Sequence, residues 1–264
     1  MGIIESIVLG AVQGLTEFIP ISSSGHLVIA QHFFSGASDH KFLEFINIGT
    51  LLALLAYYHR RIWHILGDIF KRHNYKLAIN ILLTAVPAGL VGFVLSDFID
   101  SSPFFGSLVT VTVTLGVVGI VMIVLERLPK ASHVDTLDEL KPGKAFGIGV
   151  AQMFALIPGV SRSGSTIIAG RLSGLTARDA AEYSFLASLP IMIGVTLKLF
   201  VSSDDRHYLM DNLGTLALGN LVAFITGLVA VGFLLRYLSR HSLALFGWYR
   251  VVVALVLVVV IVVH

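Results

Sequence analysis

An all-α integral membrane protein is the fold class this sequence predicts, with about six transmembrane helices and two re-entrant helical hairpins arranged as an inverted repeat. Three observations predict it. Of 264 residues, 56% are hydrophobic and only 13% charged, too little polar surface for a soluble domain of this length. The apolar residues gather in runs of about 20, the length of a membrane helix, where a barrel would show short alternating strands. Two of these runs are broken by polar clusters that an uninterrupted span has no use for.

Residues 3–34 form the first apolar segment, interrupted at 13–26 by QGLTEFIPISSSGH. Polar and ionisable groups at membrane depth cost roughly 2.5–3.5 kcal/mol each and usually mark function. Glu17, Pro20, three consecutive serines, Gly25 and His26 therefore point to half of a polar site. The segment has no basic n-region and is not expected to be a cleaved signal peptide. Residues 42–58 follow as a span, then a basic amphipathic connector at 59–76. Residues 77–99 and 104–125 are two further spans, joined by a short turn at Asp100, Ser101, Ser102 and Pro103. The polar linker 127–143 then separates two halves, 1–126 and 144–264, of a single membrane domain. Residues 144–170 are apolar but broken again, and 180–201, 213–238 and 243–263 supply three more spans. Tyr237, Trp248 and Tyr249 suit an interfacial aromatic belt.

Charge sets the expected orientation. Four regions hold 14 of the 18 Lys and Arg residues: Arg60 to Lys76, Arg127 to Lys144, Arg171 with Arg178, and Arg236, Arg240 and Arg250. If six segments span fully, all four are cytoplasmic, and Asp97, Asp100, Asp204, Asp205 and Asp211 face outside. This requires 3–34 and 144–170 each to enter and leave on one side, the first from outside and the second from inside. An internal repeat agrees. Gln13 and Gln152 lie 139 residues apart, as do Ser22-Ser23-Ser24-Gly25 and Ser161-Arg162-Ser163-Gly164. An odd number of spans separates the copies, so they have opposite topology, the arrangement by which broken helices build buried polar sites. The absence of cysteine excludes a disulfide scaffold and cysteine-ligated metals. A net charge of +2 argues against a nucleic-acid partner.

The second copy reads PGVSRSGST at 158–166. Arg162 is an always-charged fork suited to phosphate oxygens. Gly159, Ser161, Ser163 and Thr166 around it can offer hydroxyls and backbone N–H groups, helped by a helix N-terminus. In the first copy, Gln13 and Glu17 share a helical face at i and i+4. Together they can ligate a hard divalent cation such as Mg²⁺ or Ca²⁺, or Glu17 can act as a general base. Ser22, Ser23 and Ser24 followed by His26 suggest a hydroxyl nucleophile with imidazole nearby, with Ser22, Ser24 and Gly25 also expected to bind substrate, and His26 can itself attack or protonate a leaving group. Carboxylate, hydroxyls and imidazole facing an arginine form the set that phosphoryl transfer needs. A membrane location implies a lipid-linked phosphate or pyrophosphate substrate, with no Walker pattern to indicate ATP.

QGLTE and PISSSGH with PGVSRSGST resemble the undecaprenyl-diphosphate phosphatase family, the bacitracin-resistance membrane proteins, over essentially the whole chain. The family signatures, E/Q-x-x-x-E and P-G-x-S-R-S-x-x-T, are both present. The resemblance implies hydrolysis of undecaprenyl diphosphate to the monophosphate and inorganic phosphate, recycling the lipid carrier for wall polymers. It implies divalent-cation dependence, a homodimer in the cell (inner) membrane, and an active site facing the extracytoplasmic side. By position, Glu17, Ser23, His26 and Arg162 are the expected functional residues. Gln13 stands where many relatives have Glu, so Glu17 must carry more of any metal binding. A lipid-phosphate transporter or flippase is the competing reading, because inverted repeats of broken helices are also transporter architecture.

Overall fold

The computed structural model describes residues 2–33, 39–128, 134 and 136–263. Phe34 and Lys130 lie outside the described residues, as do the side chains of Asp97 and Asp100. The described chain is helical. Helix α1 (Ile3–Phe18) and α2 (Ser23–Phe33) form the first broken segment, followed by α3 (His40–Tyr57) and α4 (His59–Lys71). Then come α5 (Lys76–Val94), α6 (Ser96–Ser101), α7 (Pro103–Gly106) and α8 (Leu108–Leu125). The second broken segment is α9 (Pro142–Met153), a 3-10 turn (Phe154–Leu156) and α10 (Arg162–Leu172). Helices α11 (Ala177–Val201), α12 (Ser203–Asp211), α13 (Leu213–Leu238) and α14 (Ala244–Val263) complete the chain.

Among the described residues, five helices (α5, α8, α11, α13 and α14) are long and apolar enough to cross a membrane. Helices α3 and α4 supply a sixth if the pair, bent by 70°, is taken as one span. The protein is an all-α integral membrane protein. The bend falls where α3 gives way to HRRIWHILGDIFK, whose Trp63 and Phe70 are exposed while Ile62 and Ile65 pack on the core. The expected turn at Asp100 to Pro103 is instead two short helices with only Ser102 between them. Its turn-like residues are also helix starters: Pro103 opens α7 at the position where its missing N–H costs nothing.

Ion pairs define two ends of the bundle. At the basic end Arg61 pairs with Glu182 at 3.7 Å and Arg171 with Glu126 at 3.5 Å, and Lys144 donates to the Ser173 carbonyl at 2.7 Å. The linker packs here as well: Val134, Leu137 and Leu140 are buried, and the Leu140 carbonyl accepts from Asn80. At the acidic end Lys41 pairs with Asp205 at 3.0 Å, and Tyr208 donates to Asp39.

Each broken segment packs along a helix from the opposite half of the sequence. Helix α1 lies on α13 with Gly10 against Gly219, so it starts at the acidic end, and α2 returns toward the start of α8. Helix α9 lies on α5 with Gly149 against Thr84, so it starts at the basic end, and α10 returns along α11 from Ser184 to Ala180. A side chain at either Gly10 or Gly149 would press within 2.4 or 2.8 Å of a neighbouring carbonyl, which holds these helices in close contact. The breaks therefore approach each other from opposite ends and meet inside the bundle.

Candidate active site

The two breaks share one local construction. Ser22 and Ser161 both have left-handed backbone, with φ of 76° and 77°. Such a conformation costs a non-glycine residue roughly 1–2 kcal/mol and persists only where its surroundings enforce it. Ser22 Oγ accepts from the Gly25 N–H at 3.3 Å, and Ser161 Oγ accepts from the Gly164 N–H at 3.0 Å. Each hydroxyl also meets the one two residues on, Ser24 at 3.2 Å and Ser163 at 3.1 Å. Helices α2 and α10 thus begin on serine caps. The next residue, Ser23 in one and Arg162 in the other, is the first of its helix.

Glu17, at the end of α1, stands between these two residues. Its Oε2 accepts from Ser23 Oγ at 2.6 Å and from Gln13 Nε2 at 3.1 Å. Its Oε1 accepts from Arg162 Nη2 at 2.7 Å. The Arg162 and Glu17 side chains are only 18% and 12% exposed, so this pair is held largely away from water. Ser163 Oγ adds a bond to the Glu17 carbonyl at 3.3 Å. Gln13 is fully buried and also donates to Asn47 Oδ1 at 2.7 Å, so both its bonds run through Nε2. Its Oε1 is left buried without a partner, as is Nη1 of Arg162.

Other expected site residues stand differently. His26 does not bond to this cluster: Nδ1 is 2.7 Å from the Ser22 carbonyl and Nε2 is 2.8 Å from the Tyr249 hydroxyl. Thr166 is fully buried, bonded to the Arg162 carbonyl and to Ser184, and fastens α10 to α11. Ser24 is exposed and Gly25 is buried against Val111. Gly159 has φ of 87°, and a Cβ there would lie 2.0 Å from Thr114 Oγ1, so only glycine fits the turn.

Arg250 corrects the sequence reading. Counted among the cytoplasmic charges, it is completely buried and reaches both breaks. Nη1 donates to the Pro20 carbonyl at 3.1 Å, while Nη2 donates to Val160 at 3.1 Å and to Gly159. No carboxylate pairs with it among the described residues. Glu17 and Arg162 cancel, so Arg250 leaves the site net positive between the N-termini of α2 and α10, a setting that favours an anion. Its position carried a signal: Arg250 lies six residues past Ala244, roughly 9 Å inside α14 at 1.5 Å per residue. Asn47 and Tyr249 also touch site residues, Tyr249 having been expected only in an aromatic belt.

Carboxylate, hydroxyl and guanidinium gather at two helix N-termini inside a membrane bundle, the set of groups expected of a membrane-embedded site for phosphate chemistry. Comparison with known proteins agrees with that class. Residues 6–256 match the family described as bacitracin resistance protein BacA, and the chain belongs to that family. It is 37% identical to undecaprenyl-diphosphatase 1 of Mesorhizobium japonicum, over 96% of this chain and 95% of that one. It is 38% identical to undecaprenyl-diphosphatase 1 of Burkholderia lata, over 98% and 95%. Against the undecaprenyl-diphosphatase of Nitrosomonas europaea the identity is 36%, over 94% and 91%.

Proposed function

We propose that the protein hydrolyses undecaprenyl diphosphate to undecaprenyl phosphate and inorganic phosphate. The observation that carries this reading is the bond between Ser23 Oγ and Glu17 Oε2 at 2.6 Å, with Arg162 on the other oxygen. In the proposed reaction Glu17 takes the hydroxyl proton as Ser23 Oγ attacks the terminal phosphorus. The bond from phosphorus to the bridging oxygen breaks, and undecaprenyl phosphate leaves. Water then displaces Ser23 from phosphorus, giving inorganic phosphate and restoring the serine. Arg162, with one nitrogen free, holds the phosphoryl oxygens, and the N-termini of α2 and α10 stabilise their charge. Purified protein in detergent should release phosphate from undecaprenyl diphosphate, with a phosphorylated Ser23 trapped by rapid quenching. A phosphate-labelled His26, or none at Ser23 during turnover, would overturn the serine route. The relatives' names do not favour the transporter reading.

A divalent cation fits the donor set. Gln13 Oε1 is an orphaned buried acceptor beside the Glu17 carboxylate, and no group of three or more His, Cys, Asp or Glu occurs among the described residues. Glu17 and Gln13 would hold Mg²⁺ or Ca²⁺, with substrate oxygens completing the shell, and the cation would neutralise phosphate charge. Chelation should abolish turnover, and either metal should restore it. Gln13→Glu should lower the cation concentration giving half-maximal rate; an unchanged requirement counts against Gln13 as a ligand. The same proposal places the protein in the cell membrane with the basic end cytoplasmic, and as a homodimer. On that topology the first broken segment opens outside. Cysteine accessibility in intact cells and cross-linking in membranes test these two points.

A further inference from the structure

The two ring nitrogens of His26 are assigned by their partners. Nδ1 lies 2.7 Å from the Ser22 carbonyl, which can only accept, so Nδ1 carries the proton. In the neutral ring Nε2 is then the acceptor, and the Tyr249 hydroxyl at 2.8 Å is its donor. The two rings also stack, with centroids 5.6 Å apart and planes 11° from parallel. The Ser22 carbonyl takes a second bond from the His26 main-chain N–H at 3.1 Å. This carbonyl belongs to the left-handed residue that sets Ser23 against Glu17.

We propose that Tyr249 is a positioning residue for the reaction: its hydroxyl, donating to Nε2, fixes the His26 ring in place, and the imidazole, through its Nδ1–H, in turn holds the Ser22–Ser23 turn in its attacking shape. Three features support it. Tyr249 is 43% exposed, so its hydroxyl is not there to satisfy a packed core. It is bonded to a specific nitrogen 223 residues away in sequence, which stacking alone does not require. Its neighbour Arg250 holds the Pro20 carbonyl on the other side of the same break, so two consecutive residues of α14 grip it from both ends. Arg250 is also the charged group that faces His26. The inference rests on the phosphatase reading and on Ser23 as its attacking group.

Tyr249→Phe keeps the ring and its stacking and removes only the donor, so folding is preserved. We expect kcat to fall about tenfold, the scale of one lost hydrogen bond, with KM changed by less than twofold. His26→Ala should lose at least as much, and adding Tyr249→Phe to it should cost nothing further. Nitrogen NMR of the ¹⁵N-histidine-labelled protein should show the Nδ1–H tautomer of His26 in both proteins, with the Nε2 resonance moved toward that of a non-bonded acceptor in Tyr249→Phe. This readout does not depend on activity. A full tenfold loss from Tyr249→Phe in the His26→Ala background, or an unmoved Nε2 resonance, overturns the role of Tyr249. If His26→Ala has wild-type kcat, the coupling is absent and the inference falls while the phosphatase reading stands. Absence of phosphate release by the wild type removes that reading, and with it the inference, whatever the NMR shows.

Discussion

The breaks at residues 19–22 and 154–161 are built alike and equipped differently. Both end in a serine of left-handed backbone that caps the following helix, and both place a glutamine 139 residues apart on the preceding one. Where the first has Ser23, the second has Arg162; where the first has Glu17, the second has Leu156; where the first has His26, the second has Ser165. The matched positions make a frame that carries two helix N-termini to one point. In the proposed reaction, the unmatched positions hold the chemistry. A symmetric scaffold with symmetric side chains would bring two serines or two arginines together. Only the divergence puts a hydroxyl on one side of the Glu17 carboxylate and a guanidinium on the other.

The largest effects are therefore expected at unmatched positions. Arg162→Ala should lower kcat/KM by about 10³-fold or more, the scale seen when a phosphoryl-clamping arginine is removed. Ser23→Ala should be as severe. Both should leave the melting temperature within a few degrees, because Glu17 keeps Gln13 as a donor in either variant. Near-normal turnover in Arg162→Ala would break the assignment of chemistry to the divergent residues.

Arg250 serves both breaks at once and so probes their meeting point. Arg250→Met leaves three carbonyls without a donor in a buried place, and should lower unfolding stability by about 3 kcal/mol. Arg250→Lys keeps the charge but cannot reach three acceptors from one planar fork, and should recover only part of that loss. Equal melting curves for the wild type and the methionine variant would show that the breaks hold together without this residue.

Much of the frame was legible in the sequence. Apolar runs located the spans within a few residues, and segment 213–238 coincides with α13. The 139-residue offset aligned two serines before any backbone angle was known, because a polar turn inside an apolar run has few other meanings. What stayed hidden depends on tertiary partners. Arg250 falls inside the segment 243–263, an unusual depth for a charge, but what it holds is seen only from its three acceptors, 90 to 230 residues away. Tyr249 resembles a belt residue until His26 meets it. The fully buried Thr166 reads as a loop donor in the motif, yet it ties two helices. Sequence spacing reveals which residues share a helix face, but not which faces two distant helices present to each other.

The smallest predicted effects test the frame itself. Glycine at position 22 or 161 removes a capping hydroxyl but relieves the left-handed strain, so stability should change by only a few tenths of a kcal/mol. Alanine removes the cap and keeps the strain, and should cost about 1 kcal/mol relative to serine at either position. The informative result is the match between the pairs, measured by thermal unfolding in detergent. If Ser22→Ala and Ser161→Ala respond alike, the two turns are energetically the same device. If one costs several kcal/mol more, the likeness of the breaks is confined to backbone shape. The heavier break would then be the one whose turn geometry carries additional contacts, and for Ser22 the known extra contact is the His26 imidazole on its carbonyl.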